Sequence, residues 1–525
     1  MHKTFLLFSA ALFLAPSLHA QSKTDKADVT WGAEEDIKKD GTFEYVIADD
    51  GDAVYQSMSR KRDLFVQRMD LGLHVTYQKQ IDLELDKKKL VLRRTLITQD
   101  NVVVFASYYD KKLDENQLYT ETYAKSDFSP VKRLTKIARI PAEKASQAGS
   151  FDVEVSPDKS KVMIYMAIPN EKEESRKFEI QVFDSDMKPL WSKDITLPYP
   201  SDEFTVGQVE IDNDGSVVGL GKKFAEKHEA KELKRAGKAT YEHHLLVLTK
   251  DDAELQDYPI TVADKFLQDM TLKMGTTGNI ICGGLFSNKG TWSIRGTFFL
   301  SLDRQTKQIV HESYKDFSDN FITQYMTEKE AKKATKKADK KGEDLELPNY
   351  DLHEIILKDD GGAVMVAEQY TTYVTCYTDS KGNTRCVTNY VYNDIIVVNV
   401  DPEGNIEWTS KIPKRQHSAN DGGMYSSYAL EVKGDKIYFI FNDSGKNLFL
   451  KPGDKIDQFE LKGKDALVVL ATVDNEGNVT REALFSPEKR DVVLRPKDCV
   501  ELSNDDMLIY ASRKKEYRFG EIEFK

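Results

Sequence analysis

A thirteen-residue pattern recurs five times in this chain and leaves it few folds to choose from. In each copy an apolar residue is followed by Asp, then by a polar turn, then by apolar or aromatic residues eight and twelve positions after the first. The copies are Met69-Asp70 with Tyr77 and Ile81, Phe183-Asp184 with Trp191 and Ile195, Leu302-Asp303 with Val310 and Tyr314, and Val400-Asp401 with Trp408 and Ile412. In the fifth, Val473-Asp474 with Phe485, the eighth position is Arg481. A unit repeated at broadly similar intervals is one supersecondary element used many times.

A second kind of turn alternates with the first. Short strand-like runs flank polar clusters at Asp49 to Asp52, Gln99 to Asn101, Ser156 to Ser160, Asp212 to Ser216, Thr276 to Asn279, Asp359 to Gly362, Gly434 to Lys436 and Ser503 to Asp506. The run after each is rich in β-branched and aromatic residues, as in Lys436-Ile-Tyr-Phe-Ile-Phe441. Two turn types in alternation give four strands per period, the composition of a propeller blade. Helical periodicity between strands, which a parallel α/β sheet needs, is absent. The chain is therefore expected to be all-β, a β-propeller of eight four-stranded blades, with seven as the alternative count.

The chain ends without a final outer strand after Tyr517 to Phe524, while a spare strand sits near Val29 to Ala33, before the first blade begins near Phe43. Pairing the two closes the ring and removes two free edges. Residues 1–20 read as a signal peptide, with Lys3, an apolar run from Phe5 to Ala15, and Ala20 before the cut. Residues 21–525 then form a single propeller domain, exported to the periplasm or cell surface, with no transmembrane segment. Losing the leader removes Lys3 and no acid, so the formal charge goes from −12 to −13. An acidic chain lacks the basic face that general nucleic-acid binding requires.

Three segments break the repeat. Residues near 222–238 and 318–346 are rich in Ala, Glu and Lys, and Glu328 stands four residues before Lys332, so both segments read as helical insertions. The third is a long β-hairpin near 368–394. Its strands flank Ser380-Lys381-Gly382, a three-residue loop with Gly where a positive φ is needed. Pairing Asp379 with Asn383 puts Cys376 opposite Cys386, within reach of a disulfide under oxidising conditions. Two reduced thiols are the alternative. Cys282 and Cys499 lie in apolar runs and read as buried free thiols.

The same register pairs Tyr370 with Tyr392, Tyr373 with Asn389, and Tyr377 with Arg385. A ribbon projecting from a ring cannot bury both faces. Tyr370, Tyr373, Tyr377, Arg385, Tyr390 and Tyr392 are accordingly the candidate binding residues, since exposed aromatics offer apolar area with a polar tip. Strand propensity alone is the competing account of the tyrosines.

Catalytic signatures are sparse. There is no Gly-x-Ser-x-Gly elbow, no phosphate-binding loop and no His-Glu-x-x-His. Adjacent His243 and His244 face opposite sides of a strand and make poor co-ligands. Asp401-Pro-Glu-Gly-Asn and Asp474-Asn-Glu-Gly-Asn look like fragments of a calcium loop, but lack the Glu at its twelfth position, so turn chemistry explains them. No metal or cofactor is implied, and no catalytic residue can be named.

The stretch Asn349-Tyr-Asp-Leu-His-Glu-Ile-Ile356, followed by Asp359-Asp-Gly-Gly-Ala-Val-Met-Val-Ala-Glu-Gln-Tyr370, resembles uncharacterised exported propeller proteins of Bacteroidetes-type bacteria. The resemblance is architectural and implies no activity. The leading expectation is a noncatalytic module that binds a protein or glycan partner at the cell envelope. A glycan or peptide hydrolase with its site at the central channel is the alternative.

Overall fold

Both turn types are the joints of the fold. In the computed structural model the repeated Asp closes its own turn, as a turn-forming Asp does. Asp303 Oδ1 accepts the backbone N–H of Thr306 at 2.7 Å, Asp401 Oδ1 that of Asn405 at 2.7 Å, and Asp474 Oδ1 that of Asn478 at 2.8 Å. The backbone hydrogen bond from Thr306 holds the Asp303 carboxyl below its ordinary range. Gly477, at φ 82°, supplies the left-handed position of the last of these turns.

The structure describes residues 21–525 apart from 62, 172, 237, 261, 263–264, 276–278, 289–292, 349 and 488–491. The expected signal peptide lies outside the described residues, as do Asn349 and most of the turn at Thr276 to Asn279. Among the described residues no helix is long and apolar enough to cross a membrane.

The chain is all-β, built of antiparallel sheets strung along the sequence. Eight sheets have four or more strands, and a short hairpin, Glu84–Leu85 with Lys88–Lys89, lies between the first two. The first sheet is Thr42–Asp49, Ala53–Arg60, Asp63–Asp70 and Val75–Ile81. In this sheet and the next six, leaving aside the turn at 276–279, the second turn type joins the first strand to the second, and the Asp turn or its degenerate form joins the third to the fourth. The eighth sheet draws on both ends of the chain. Ala27–Trp31 pairs with Glu516–Phe524 in a register that sets Ala27 opposite Phe524, and Gln21–Lys23 adds the edge. The spare N-terminal strand thus closes the last sheet, as the sequence suggests.

The core lies between sheets, not within one. Buried apolar clusters join the first sheet to the second, the second to the third, and so on to the eighth. Another joins the eighth back to the first through Phe43, Val54, Leu508 and Tyr510, which completes the ring. The twelfth position of the repeat feeds this core: Ile81, Ile195, Ile412 and Phe485 are all buried. Burying such side chains is worth roughly 1.5–3 kcal/mol each.

First strands of neighbouring sheets approach one another, so they form the inner wall. Helices occur where the repeat breaks: α1 (Ile37–Asp40), α2 (Lys227–Arg235), α3 (Asp319–Thr323) and α4 (Glu328–Lys341). The first insertion is shorter than expected, because Lys222 to Phe224 continue the strand Val217–Phe224. α4 opens with a capping box: Thr327 caps the N–H of Glu330, whose carboxylate accepts the Thr327 N–H at 2.9 Å. Glu328 and Lys332 form the expected ion pair.

Candidate functional site

The ribbon follows from its register. Strands Ala363–Thr378 and Thr384–Val400 belong to the sixth sheet at their base and run on past it as a two-stranded extension. Asp379 closes the tip by accepting the N–H groups of Lys381 and Asn383, and Gly382 takes φ 82°. Cys376 lies opposite Cys386 and the two are joined in a disulfide, with Cα atoms 4.0 Å apart. Tyr370 pairs with Tyr392, Tyr373 with Asn389, and Tyr377 with Arg385, as expected.

Opposed residues share a face of the pleat, so the ribbon has two distinct sides. Tyr373, Tyr377 and Arg385 lie on one; Tyr370, Tyr390, Tyr392 and the disulfide lie on the other. Tyr373 and Tyr377 are 48% and 60% exposed, and Arg385 is exposed as well. Tyr370 and Tyr390 are half-buried. Tyr392 is buried, because the loop after Ala419 folds over it so closely that a Cβ at Gly423 would lie 2.7 Å from its ring. Tyr392 also packs on Tyr370, ring centroids 4.7 Å apart, and its hydroxyl takes a hydrogen bond from Lys497 at 3.1 Å.

Each side of the ribbon borders a cavity. On the Tyr373 side is a cleft of about 700 Å³, walled by α3, α4, the ribbon residues Gln369 and Val391, and the segment around Lys455 to Gln458. On the other side is a cavity of about 670 Å³ at the inner wall, lined by Tyr370, Tyr392, Tyr428, His353, Glu354 and Glu501. The two differ in charge. Lys333, Lys337, Arg415 and Lys455 ring the cleft, with Lys411 and Lys414 at its floor, against Glu330 and Asp394. The inner-wall cavity is dominated by carboxylates.

A buried polar network lies beneath the ribbon base. Glu368 and Lys414, both fully buried, form an ion pair. Ser427 donates to Glu368 at 2.7 Å, and Lys414 donates to Gln416 at 3.1 Å. His353 lies 3.8 Å from Glu368 and shares a 2.8 Å hydrogen bond with the Tyr428 hydroxyl. Burial lowers the affinity of Lys414 for its proton, with Glu368 opposing, and burial lowers that of Lys411, with Asp394 opposing. Arg481, the exception in the repeat, reaches the same region. It pairs with buried Asp443 at 3.4 Å and donates to the Asn447 carbonyl at 3.2 Å and to that of Pro413.

The inner wall carries carboxylates on strands of the third, fourth, sixth and eighth sheets: Glu154, Glu210, Glu354 and Glu501. Burial raises the pKa of each, and Lys273 opposes the rise at the first three. Next to them Glu431 is fully buried, and its carboxylate has no side-chain hydrogen-bond partner among the described residues. Burial, reinforced by Glu501 and Asp505, pushes its pKa up to about 9. His243 and His244 are both buried; His244 bonds Asp257 at 2.7 Å, and burial pushes His243 down to about 4.

Sequence reasoning missed the short strand Gln416–Ala419, which pairs with Asn389–Tyr392 and widens the ribbon base to three strands. Its four residues, Gln-His-Ser-Ala, carry no strand pattern. The Glu368–Lys414 pair was missed too, because its partners are far apart in sequence and neither belongs to a motif.

No protein-family model matches the chain, and no curated protein matches it. Solved structures resemble it in part. A Bacteroides caccae protein of unknown function is 9% identical, with a TM-score of 0.29 over 71% of this chain and 94% of that one. The WD40 domain of SCAP from fission yeast is 7% identical, with a TM-score of 0.38 over 94% of each chain. Drosophila Plexin A, in complex with Semaphorin 1b, is 8% identical, with a TM-score of 0.33 over 95% of this chain and 87% of that one.

Proposed function

We propose that the protein is a noncatalytic binding propeller of the cell envelope, related to exported propeller proteins of Bacteroidetes-type bacteria, that takes a protein or glycan partner at the ribbon. One observation carries this reading. The ribbon and the α3–α4 insertion, two places where the repeat breaks, border the same cleft and leave Tyr373 exposed on its wall. A ring needs neither segment for closure, and binding residues collect on segments that a rigid scaffold displays. The disulfide supports an oxidising compartment. Partner material retained from the native envelope by the immobilised protein should be lost on Tyr373→Ala/Tyr377→Ala. Unchanged retention removes the ribbon from the binding surface.

A second reading rests on the inner-wall carboxylates. Carboxyl groups with raised pKa facing a cavity are the material of general acid catalysis, so Glu354 and Glu501 are the candidates for a channel hydrolase. Turnover of a glycan or peptide that Glu354→Gln abolishes would replace the binding reading with this one.

A further inference from the structure

The cleft on the Tyr373 side has a chemistry that narrows its ligand. Lys333, Lys337 and Lys455 are exposed on its rim and make no ion pair or side-chain hydrogen bond among the described residues. Arg415 is exposed beside them and acts on Glu330 only through space. Glu330 accepts the N–H and hydroxyl of Thr327 in the capping box of α4 and keeps its charge, one carboxylate against the four cations of the rim. Deeper in, Lys411 donates to the Phe321 carbonyl at 2.9 Å and the Ile322 carbonyl at 3.3 Å, and Lys414 is held by Glu368. The floor is thus committed to structure, while the rim presents net positive charge.

A second feature asks for something other than an anion. Asn393 lines the cleft, and its side-chain carbonyl oxygen is buried without a hydrogen-bond partner among the described residues. A buried acceptor left unpaired costs free energy that a donor from a ligand recovers. Tyr373, half exposed on the wall, offers a ring face, and Gln369, His417 and Gln458 add further polar groups. Anionic groups, hydroxyl donors and a flat apolar face occur together in an acidic sugar.

Peptide capture fits less well. Extended peptides are bound along a free strand edge. Here the edge of Thr384–Val400 beside the cleft is already paired with Gln416–Ala419, whose Gln416 and His417 line the cleft. A volume of about 700 Å³ suits a short oligosaccharide, since ligand sites commonly span about 300–1,000 Å³.

We propose that this cleft binds an anionic oligosaccharide, its carboxylate or sulfate groups held by Lys333, Lys337, Arg415 and Lys455, and one sugar ring lying against Tyr373. The proposal rests on the binding reading above and names the ligand class. Titration calorimetry of the full chain tests it with an oligogalacturonate, a sulfated oligosaccharide, a neutral oligosaccharide of equal length, and oligoglutamate. Binding of either acidic sugar, with none of the neutral one, is expected. The affinity should fall about tenfold on Lys333→Glu/Lys337→Glu, and it should weaken as salt rises. Lys231→Glu/Lys234→Glu on α2, which is exposed elsewhere, should leave it unchanged.

The arm that binds tells carboxylate from sulfate. Failure of both acidic sugars, equal binding of oligoglutamate, or equal loss from the α2 variant overturns the proposal. Those results decide the ligand class at the charged rim, while the binding reading keeps its own test, the loss of retained partner material on Tyr373→Ala/Tyr377→Ala.

Discussion

Glu368 and Lys414 form an ion pair with both side chains fully buried, at the point where the ribbon leaves the sixth sheet. Two charges withdrawn from water tolerate each other only as a pair. Removing one strands the other, at a cost of about 3–5 kcal/mol, whereas replacing both by apolar side chains is often close to neutral. Glu368→Gln and Lys414→Met should each lower the denaturation midpoint clearly, and Glu368→Met/Lys414→Leu should recover most of the loss. If the double variant is as unstable as the singles, the pair is not the source of the effect.

Glu431 makes stability depend on pH. Its pKa is pushed from the ordinary 4.5 to about 9, so the folded state holds a proton that the unfolded chain gives up. The stabilisation is complete below about pH 4.5, declines as pH rises, and is gone above about pH 9, with a slope of at most ~1.4 kcal/mol per pH unit. Glu431→Gln keeps the shape and removes the titration. Its thermal midpoint should fall less than that of the wild type between pH 5 and pH 9.

The disulfide should matter locally. It closes a loop with a sequence separation of 10, worth roughly 2–3 kcal/mol against the unfolded chain by loop-closure entropy. It lies in the part of the ribbon beyond the sheet, so Cys376→Ser/Cys386→Ser should leave the ring folded and speed hydrogen exchange between Thr371 and Val391. Thiol counting on unreduced, unfolded protein should find two free cysteines, Cys282 and Cys499. Cys282 is buried as expected and Cys499 only half-buried, yet desolvation pushes both thiols up to about 12, so neither should react quickly in the native state.

Closure of the ring depends on Trp31. It is almost fully buried and packs edge-on against Phe485, ring centroids 5.1 Å apart, where the eighth sheet meets the seventh. Trp31→Ala should cost about 3–5 kcal/mol. Deleting residues 21–31 should do more, because it leaves Glu516–Phe524 as a bare edge that invites association. Size-exclusion chromatography would show oligomers for the deletion and a monomer-like profile for a variant confined to the exposed tip, such as Tyr377→Ala.

Much of the ring could be read from the chain because its determinants are local. An Asp that bonds the N–H groups following it, as Asp401 and Asp474 do, leaves a short sequence signature, and so does the period-two run of a half-buried strand. The ribbon register was equally legible, since Ser380-Lys381-Gly382 fixes its turn and every pairing follows from that. What stayed hidden depends on distant chain segments meeting. Nothing near Glu368 announces Lys414, nothing near Tyr392 announces the loop that covers it, and the cleft arises only when α4 and the ribbon face each other. Arg481 is instructive: it breaks the repeat at a position where Tyr77 and Val310 are exposed, and it does so to reach buried Asp443.

The strand Ala27–Trp31 finds its partner, Glu516–Phe524, only at the far end of the chain, and the Lys525 N–H then bonds the Lys26 carbonyl at 2.9 Å. Ala27–Trp31 therefore waits for this partner until Glu516–Phe524 has been synthesised. Up to that moment the sheets already formed are an open arc.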